Sequence, residues 1–190
     1  MTVAARTYLD ERTEAFVAEV LAAIDANATL LEAFVVGSGA AGGFDPRTSD
    51  VDVVAVVEGP LRDRRKLVAD VAALPRPVRD LELVVYVEGS RPGDFELNLN
   101  HGVEQPDEEP FWFVLDAALA QEHAVPVWGA RPWNDFFEPL RPEEIREATQ
   151  ASLDWASRQG PDDEFARQQA ARAQHYLEHG EWITKKEAER

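Results

Sequence analysis

Cysteine is absent from this chain. That excludes disulfide scaffolds, thiolate zinc sites and cysteine nucleophiles. Lysine is scarce: Lys66, Lys185 and Lys186 stand alone among arginines. Basic residues of both kinds are outnumbered, 19 against 36 acidic, which leaves a net charge of −17. A broad nucleic-acid-binding face is therefore not expected, because phosphate contacts need clustered Lys and Arg. Solubility is the plain role of such acidity, and the same field attracts a cationic small molecule. Long apolar runs are missing too. Val53 to Val57 is far too short to span a bilayer, and the N-terminus lacks the basic start and apolar stretch of a signal peptide. A cytoplasmic monomer without membrane contact is the expectation. What is present is enough apolar material for a core: 45% of 190 residues are hydrophobic, which suits one medium domain or two small ones.

Periodicity divides the chain. Leu9, Phe16, Val17, Val20, Leu21 and Ile24 recur at helical spacing and predict a helix over 5–26. Ala33 to Val36 reads as a buried strand that stops at Gly37. Residues 37–49, rich in Gly, Pro, Ser and Asp, read as a loop. Val51 to Val57 and Leu81 to Val87 are β-branched runs and predict strands, with a helix over 60–73 between them. Phe95 to Asn100 alternates and suits an exposed or edge strand. After residue 107 the character changes: 111–123, 142–158 and 162–179 all look helical. In the last, Ala166, Ala170, Ala173 and Leu177 form a narrow stripe, and Gly180 is placed to cap it. The reading is an N-terminal α/β unit, residues 1–105, followed by a helical unit, 106–190.

Gly37-Ser38-Gly39-Ala40-Ala41-Gly42 matches the glycine fingerprint of dinucleotide sites, and Glu58 lies at a fitting distance beyond it. The match fails on context. The fingerprint needs a crossover helix after the glycines, but Asp45-Pro46 follows almost at once and the next strand opens near Val51. A Walker loop is excluded because no Gly-Lys-Ser/Thr follows.

A different pattern fits. Gly37-Ser38 ends one strand, and Asp50 and Asp52 open the next. Residues two apart on a strand share a face, about 7 Å apart. Two carboxylates there, with no basic residue between them in sequence, repel unless a cation intervenes. Mg²⁺ prefers carboxylate and phosphate oxygens. The glycines let backbone N–H groups and the Ser38 hydroxyl approach a phosphate. Alone, such an acidic pair is more often a turn cap and a solvated edge residue; the Gly-Ser upstream reverses that balance. A third carboxylate is expected on the strand at 81–87. Asp80 and Glu82 both qualify, and Glu82, deeper in the apolar run, is the choice because an acid there is costly without a task.

These residues resemble the core motif of the nucleotidyltransferase superfamily: Gly37-Ser38, eleven residues, then Asp50-Val51-Asp52. More closely, the chain looks like aminoglycoside adenylyltransferases of the streptomycin/spectinomycin type and their relatives. Ser49, Leu81-Glu82, the Phe95 to Asn100 segment, Phe111 to Asp116, Gln121 to Gly129 and Trp182 to Lys185 carry that closer likeness over nearly the whole chain. The resemblance implies an α+β fold: a mixed sheet flanked by helices that bears the catalytic acids, then a helical bundle. It implies a transferase that moves AMP from ATP to a hydroxyl of a small cationic acceptor such as an aminoglycoside, the chemistry of antibiotic resistance. Asp50 and Asp52 would hold Mg²⁺ on ATP, and Glu82 would take the acceptor's proton. Gly37, Ser38, Ser49 and Lys185 would contact the nucleotide; Trp155, Asp162 and Asp116 would contact the acceptor.

Two departures stand out. The family has a tryptophan soon after the segment matching Glu96 to Leu99, where this chain has Asn100-His101-Gly102. The family's chain also continues beyond the point matching Arg190, so a shortened form without a tail-borne ATP contact is expected. Other readings remain: an inactive nucleotide-binding or regulatory protein of the same fold, or transfer to a protein or RNA acceptor. His175 and His179, four apart on a helix, lack an evident third ligand. The Asp162-Asp163-Glu164 cluster also suits a helix start.

Overall fold

Asp10 starts the first helix by accepting the Thr13 N–H at 2.8 Å, and Glu11 and Glu14 suit the positive end of its dipole. Helix α1 therefore spans Glu11–Asn27, a later start than the sequence suggests. The computed structural model describes residues 6–100, 102–160, 162–183 and 185–188; the side chains of Lys185 and Lys186 are outside the described set. The strands that follow are β1 (Leu30–Val35), β2 (Val51–Val57), β3 (Leu81–Val87), β4 (Leu97–Asn100), β5 (Val103–Glu104) and β6 (Val125–Trp128). They form one sheet in the order β5-β4-β3-β2-β1-β6. Strands β2 and β3 run parallel, joined through helix α3 (Arg64–Ala73); the other neighbours are antiparallel.

Alternation along the strands sorts the two faces. Val51, Val53, Ala55 and Val57 of β2 join Leu81, Leu83 and Val85 of β3 and the apolar stripe of α1 in the main core. The opposite face carries Phe34, Val54, Val56 and Tyr86, with Asp52 and Glu82 at one end of the same rows. Trp133, Phe136 and Phe137 cover part of that face, in edge contacts with Phe34 and Tyr86 at 5.2 to 6.1 Å between centroids.

Three expectations change. First, the segment after β1 is not all loop: Gly37–Ala41 forms a short helix, α2, that stops at Gly42 with φ +104°. Strands β1 and β2 on either side of it are antiparallel, whereas a dinucleotide crossover joins parallel strands. Second, β4 is not an edge, because Val103–Glu104 folds back beside it. Third, Val125–Trp128 is a strand. Its Pro126 is tolerated because β6 is the outer strand beside β1.

Immediately beyond β6, Gly129 has φ +75°, and a Cβ there would lie 2.3 Å from the carboxylate of Glu32. That carboxylate is 1% exposed, accepts the Arg131 N–H at 3.0 Å, and is pushed up in pKa by burial. This buried anchor ties the segment after β6 to β1.

The chain divides into two compact units, Met1–Glu108 with Leu119–Pro139, and Glu109–Ala118 with Leu140–Arg190. The single cut expected near residue 105 thus differs by one excursion, since 119–139 supply β6 and the aromatic cover to the first unit. Helix α4 (Pro110–His123) begins in the second unit. That unit also holds α5 (Pro142–Ser157), α6 (Glu164–His179) and α7 (Lys185–Ala188). Phe111, Leu115 and Ala148 form its core, flanked by Trp112, Trp155 and Trp182. Ala166 and Ala173 of the α6 stripe are buried, and Gly180 caps the helix in the left-handed conformation. Among the described residues no helix is long and apolar enough to cross a membrane.

Candidate active site

The site residues of the first unit follow from strand register. Asp52 on β2 is paired in register with Glu82 on β3, and Glu82 with Asn100 on β4. Adjacent strands are about 4.8 Å apart, so the three side chains form one row across the sheet. Asp52 and Glu82 are each partly buried, while Val51, Val53, Leu81 and Leu83 beside them in sequence are buried on the other face. Asn100 donates its Nδ2 to Oε1 of Glu82 at 3.3 Å. At the other end of the row, Gly37 lies directly against Asp52. Its φ is +57°, and a Cβ there would fall 1.9 Å from Asp52 Oδ2. The glycine that opens α2 is therefore required by the Asp52 carboxylate of β2. The Val36 N–H also donates to the Asp52 carbonyl at 3.0 Å, which extends the ladder to the edge of the glycine turn.

Asp50 precedes β2 and is held differently. Arg79, just before β3, forks it: Nε donates to Oδ1 at 2.8 Å and the second arm reaches Oδ2. The Asp50 side chain is 11% exposed and the Arg79 side chain 55%. The bond to Asp50, with the fields of Glu82 and Asp80, raises the Arg79 pKa above its already high value. The expected repulsion between the acids is thus met by a cation inside the protein, 29 residues away in sequence. Arg79 and Asn100 are the two residues that sequence reasoning missed. Asn100 was within reach of it, because alternation along β4 puts it on the Asn98 face; nothing in the local sequence pairs Arg79 with Asp50.

The loop before β2 is internally bonded. The Asp45 N–H donates to the Ser49 hydroxyl at 3.2 Å, and Ser49 N–H to the Asp45 carbonyl at 2.7 Å. Ser38 sits in the first turn of α2, where its carbonyl accepts the Gly42 N–H at 3.0 Å. Asp80, the other candidate for third acid, is 8% exposed, accepts the Leu81 N–H at 2.8 Å and pairs with Arg76. Those bonds make Asp80 a structural residue at the entry to β3. Asp80→Ala is expected to lower stability by about 1–3 kcal/mol, the cost of stranding the buried Leu81 N–H donor. Urea unfolding measures this, and an unchanged midpoint would refute the assignment.

The fold has a solved counterpart. The structure of spectinomycin adenyltransferase AAD(9) from Enterococcus faecialis, determined with ATP and spectinomycin, matches this chain with a TM-score of 0.77. The match covers 95% of this chain and 81% of that one, at 18% sequence identity. The chain has the nucleotidyltransferase fold. No protein-family model matches the sequence, and no curated protein matches it either. The likeness is one of fold, at low sequence identity.

Within this nucleotidyltransferase fold, the remaining candidates lie on the second unit. Asp116 is exposed on α4, and its charge supports Arg172, whose guanidinium pKa is lowered by burial. Trp155 packs edge-on against Trp112 at 5.2 Å and Phe165 at 5.9 Å between centroids. Asp163 caps α6 by accepting the Ala166 N–H at 2.9 Å, while Asp162 is exposed. The His175 and His179 rings lie 4.5 Å apart. The Lys185 side chain lies outside the described residues.

The donor set fits Mg²⁺ conditionally. Among the described residues no three His, Cys, Asp or Glu side chains are arranged to hold a metal ion. Asp50 and Asp52 supply hard carboxylate oxygens, and Mg²⁺ commonly takes one or two such groups with substrate phosphates and water. A two-carboxylate set of this kind suits a cation that arrives with a nucleotide.

Proposed function

We propose that this protein transfers AMP from Mg·ATP to a hydroxyl of a small cationic acceptor and releases pyrophosphate. The observation that carries the reading is the row of Asp52, Glu82 and Asn100 across β2, β3 and β4, with Gly37 of α2 against Asp52 and Asp50 just before β2. Asp50 and Asp52 hold the cation. The backbone at Gly37 and Ser38, the Ser49 hydroxyl and Lys185 bind the phosphates. Glu82 accepts the proton of the acceptor hydroxyl as that oxygen bonds to the α-phosphorus and the bond to the pyrophosphate oxygen breaks. Asn100 steadies the Glu82 carboxylate by donating its side-chain N–H to Oε1. The bound cation supplies charge neutralisation on the phosphate oxygens.

The acceptor is assigned to Asp162, Asp116 and Trp155, an acidic and aromatic set that suits an aminoglycoside. Its recognition should weaken with salt. Asp162→Asn with Asp163→Asn keeps the helix cap, because Asn caps as well as Asp. It is expected to raise acceptor KM severalfold and leave ATP KM unchanged; an equal effect on both would remove these residues from the acceptor site. The direct test of the function is incubation with labelled ATP, Mg²⁺ and an aminoglycoside panel, read as adenylylated product and pyrophosphate. Failure of every aminoglycoside would retire that acceptor class. Absence of any Mg²⁺-dependent ATP binding would retire the transferase reading itself. One observation favours a second reading, a nucleotide-binding protein without transfer: Arg79 engages both oxygens of Asp50.

A further inference from the structure

The Arg79 fork bears directly on how the site loads. Asp50 is one of the two carboxylates assigned to the cation, yet each of its oxygens already receives a guanidinium N–H. A bidentate Arg–carboxylate pair is among the stronger charge-assisted contacts, and the Asp50 side of this one is nearly buried. A divalent cation placed on the same carboxylate would meet the guanidinium charge a few ångströms away. Metal and arginine are therefore competitors for Asp50.

The arginine is not free to leave the neighbourhood. Its backbone N–H donates to the Pro46 carbonyl at 3.1 Å, and Val51 N–H donates to the Asp80 carbonyl at 2.9 Å. These two bonds stitch the segment before β3 to the start of β2 and to the loop before it, which also carries Ser49. A displaced Arg79 side chain, already 55% exposed, stays tethered beside the loop where the phosphates are assigned. Its fork geometry suits phosphate as well as carboxylate.

We propose that Arg79 is an exchangeable counter-ion: it holds Asp50 in the empty site and transfers to a nucleotide phosphate when the cation takes Asp50. This rests on the nucleotidyltransferase reading above and adds a loading rule to it. Metal alone is opposed by the fork. Metal with nucleotide is favoured, because the released guanidinium gains a phosphate partner. Nucleotide and cation thus bind with positive coupling, and Arg79 is the residue through which the coupling runs.

The test uses the full chain, Mn²⁺ as the metal probe and a non-hydrolysable ATP analogue as the nucleotide probe. Mn²⁺ binding is followed by electron paramagnetic resonance, with and without the analogue, for the wild type and Arg79→Gln. The glutamine variant is expected to bind Mn²⁺ alone roughly tenfold more tightly and the Mn²⁺·analogue roughly tenfold more weakly, the scale of one charge-assisted pair. The coupling between the two ligands should shrink accordingly. Adding Asp50→Asn to Arg79→Gln should erase the gain in Mn²⁺ affinity, which places the effect on that carboxylate. Arg79→Lys keeps the charge without the fork and should fall between the two proteins. It also serves as the working variant if circular dichroism shows the glutamine protein unfolded. Unchanged Mn²⁺ affinity, or equal changes with and without analogue, would overturn the exchange. If no variant binds the analogue, the functional reading fails, while the Mn²⁺ titration still reports whether Arg79 guards Asp50.

Discussion

Glu82→Gln is expected to lower transfer by about two orders of magnitude or more, within the ~10²–10⁴ that a positioned general base contributes. Affinity for Mg·ATP should stay within a few-fold. The physical basis is a division of labour within one row. Glu82 neighbours Asp52 in register on one side, and its Oε1 accepts from Asn100 on the other. Glutamine preserves the shape and can still accept from the Asn100 amide, so the loss should be chemical and not structural. Single-turnover transfer and calorimetric ATP binding measure the two quantities separately. A near-silent Glu82→Gln beside a damaging Asp80→Asn would mean that the wrong carboxylate is assigned as base. That outcome would contradict the bonding of Asp80, whose Oδ1 is engaged by the Leu81 N–H and by Arg76. Should neither change affect an established transfer activity, general-base catalysis itself is excluded.

Asp50→Asn combined with Asp52→Asn is expected to abolish the metal dependence of ATP binding. The measurement is the ratio of ATP affinities in Mg²⁺ and in a chelator, which should be large for the wild type and near one for the double variant. The ratio matters more than either affinity. Neutral residues beside the triphosphate reduce repulsion, and loss of the Asp50 charge frees Arg79, so metal-free binding can rise. Retention of the wild-type ratio would refute the site. Gly37→Ala reaches the same acids without altering charge. A methyl group 1.9 Å from Asp52 Oδ2 cannot be accommodated in place, and the φ of +57° disfavours alanine as well. Displacing Asp52 should therefore cost most of the metal dependence too. A wild-type ratio in this variant would show that Asp52 is not held where the cation binds.

The value of each acid depends on neighbours contributed from elsewhere in the chain. Asp50 and Asp52, two apart in sequence, have different surroundings: one is forked by an arginine from the segment before β3, the other lies against the glycine that opens α2. Glu82 and Asp80 show the same contrast. A two-residue step along the chain takes a carboxylate from a row across the sheet to a buried position at the strand's entry.

Much of this was legible in the amino-acid sequence because it depends on short-range pattern. The α1 stripe, the β-branched runs of β2 and β3, the helices after residue 107 and the cap at Gly180 follow from periodicity and local backbone preference. The Gly-Ser followed by paired aspartates marked the candidate site residues, since the proposed chemistry needs small residues near charge at close spacing. What only the tertiary structure decided involves partners distant in the chain. The 119–139 return, with β6 and the Glu32 anchor, could not be read locally, because a four-residue strand containing proline has no pattern of its own. Nor could the antiparallel pairing of β1 and β2 be read, which separates this glycine turn from a dinucleotide site. The Arg79 fork on Asp50 required the loop of one strand to meet the entry of the next. Hydrogen-bond register across parallel strands, not spacing along either one, brings those two charges together.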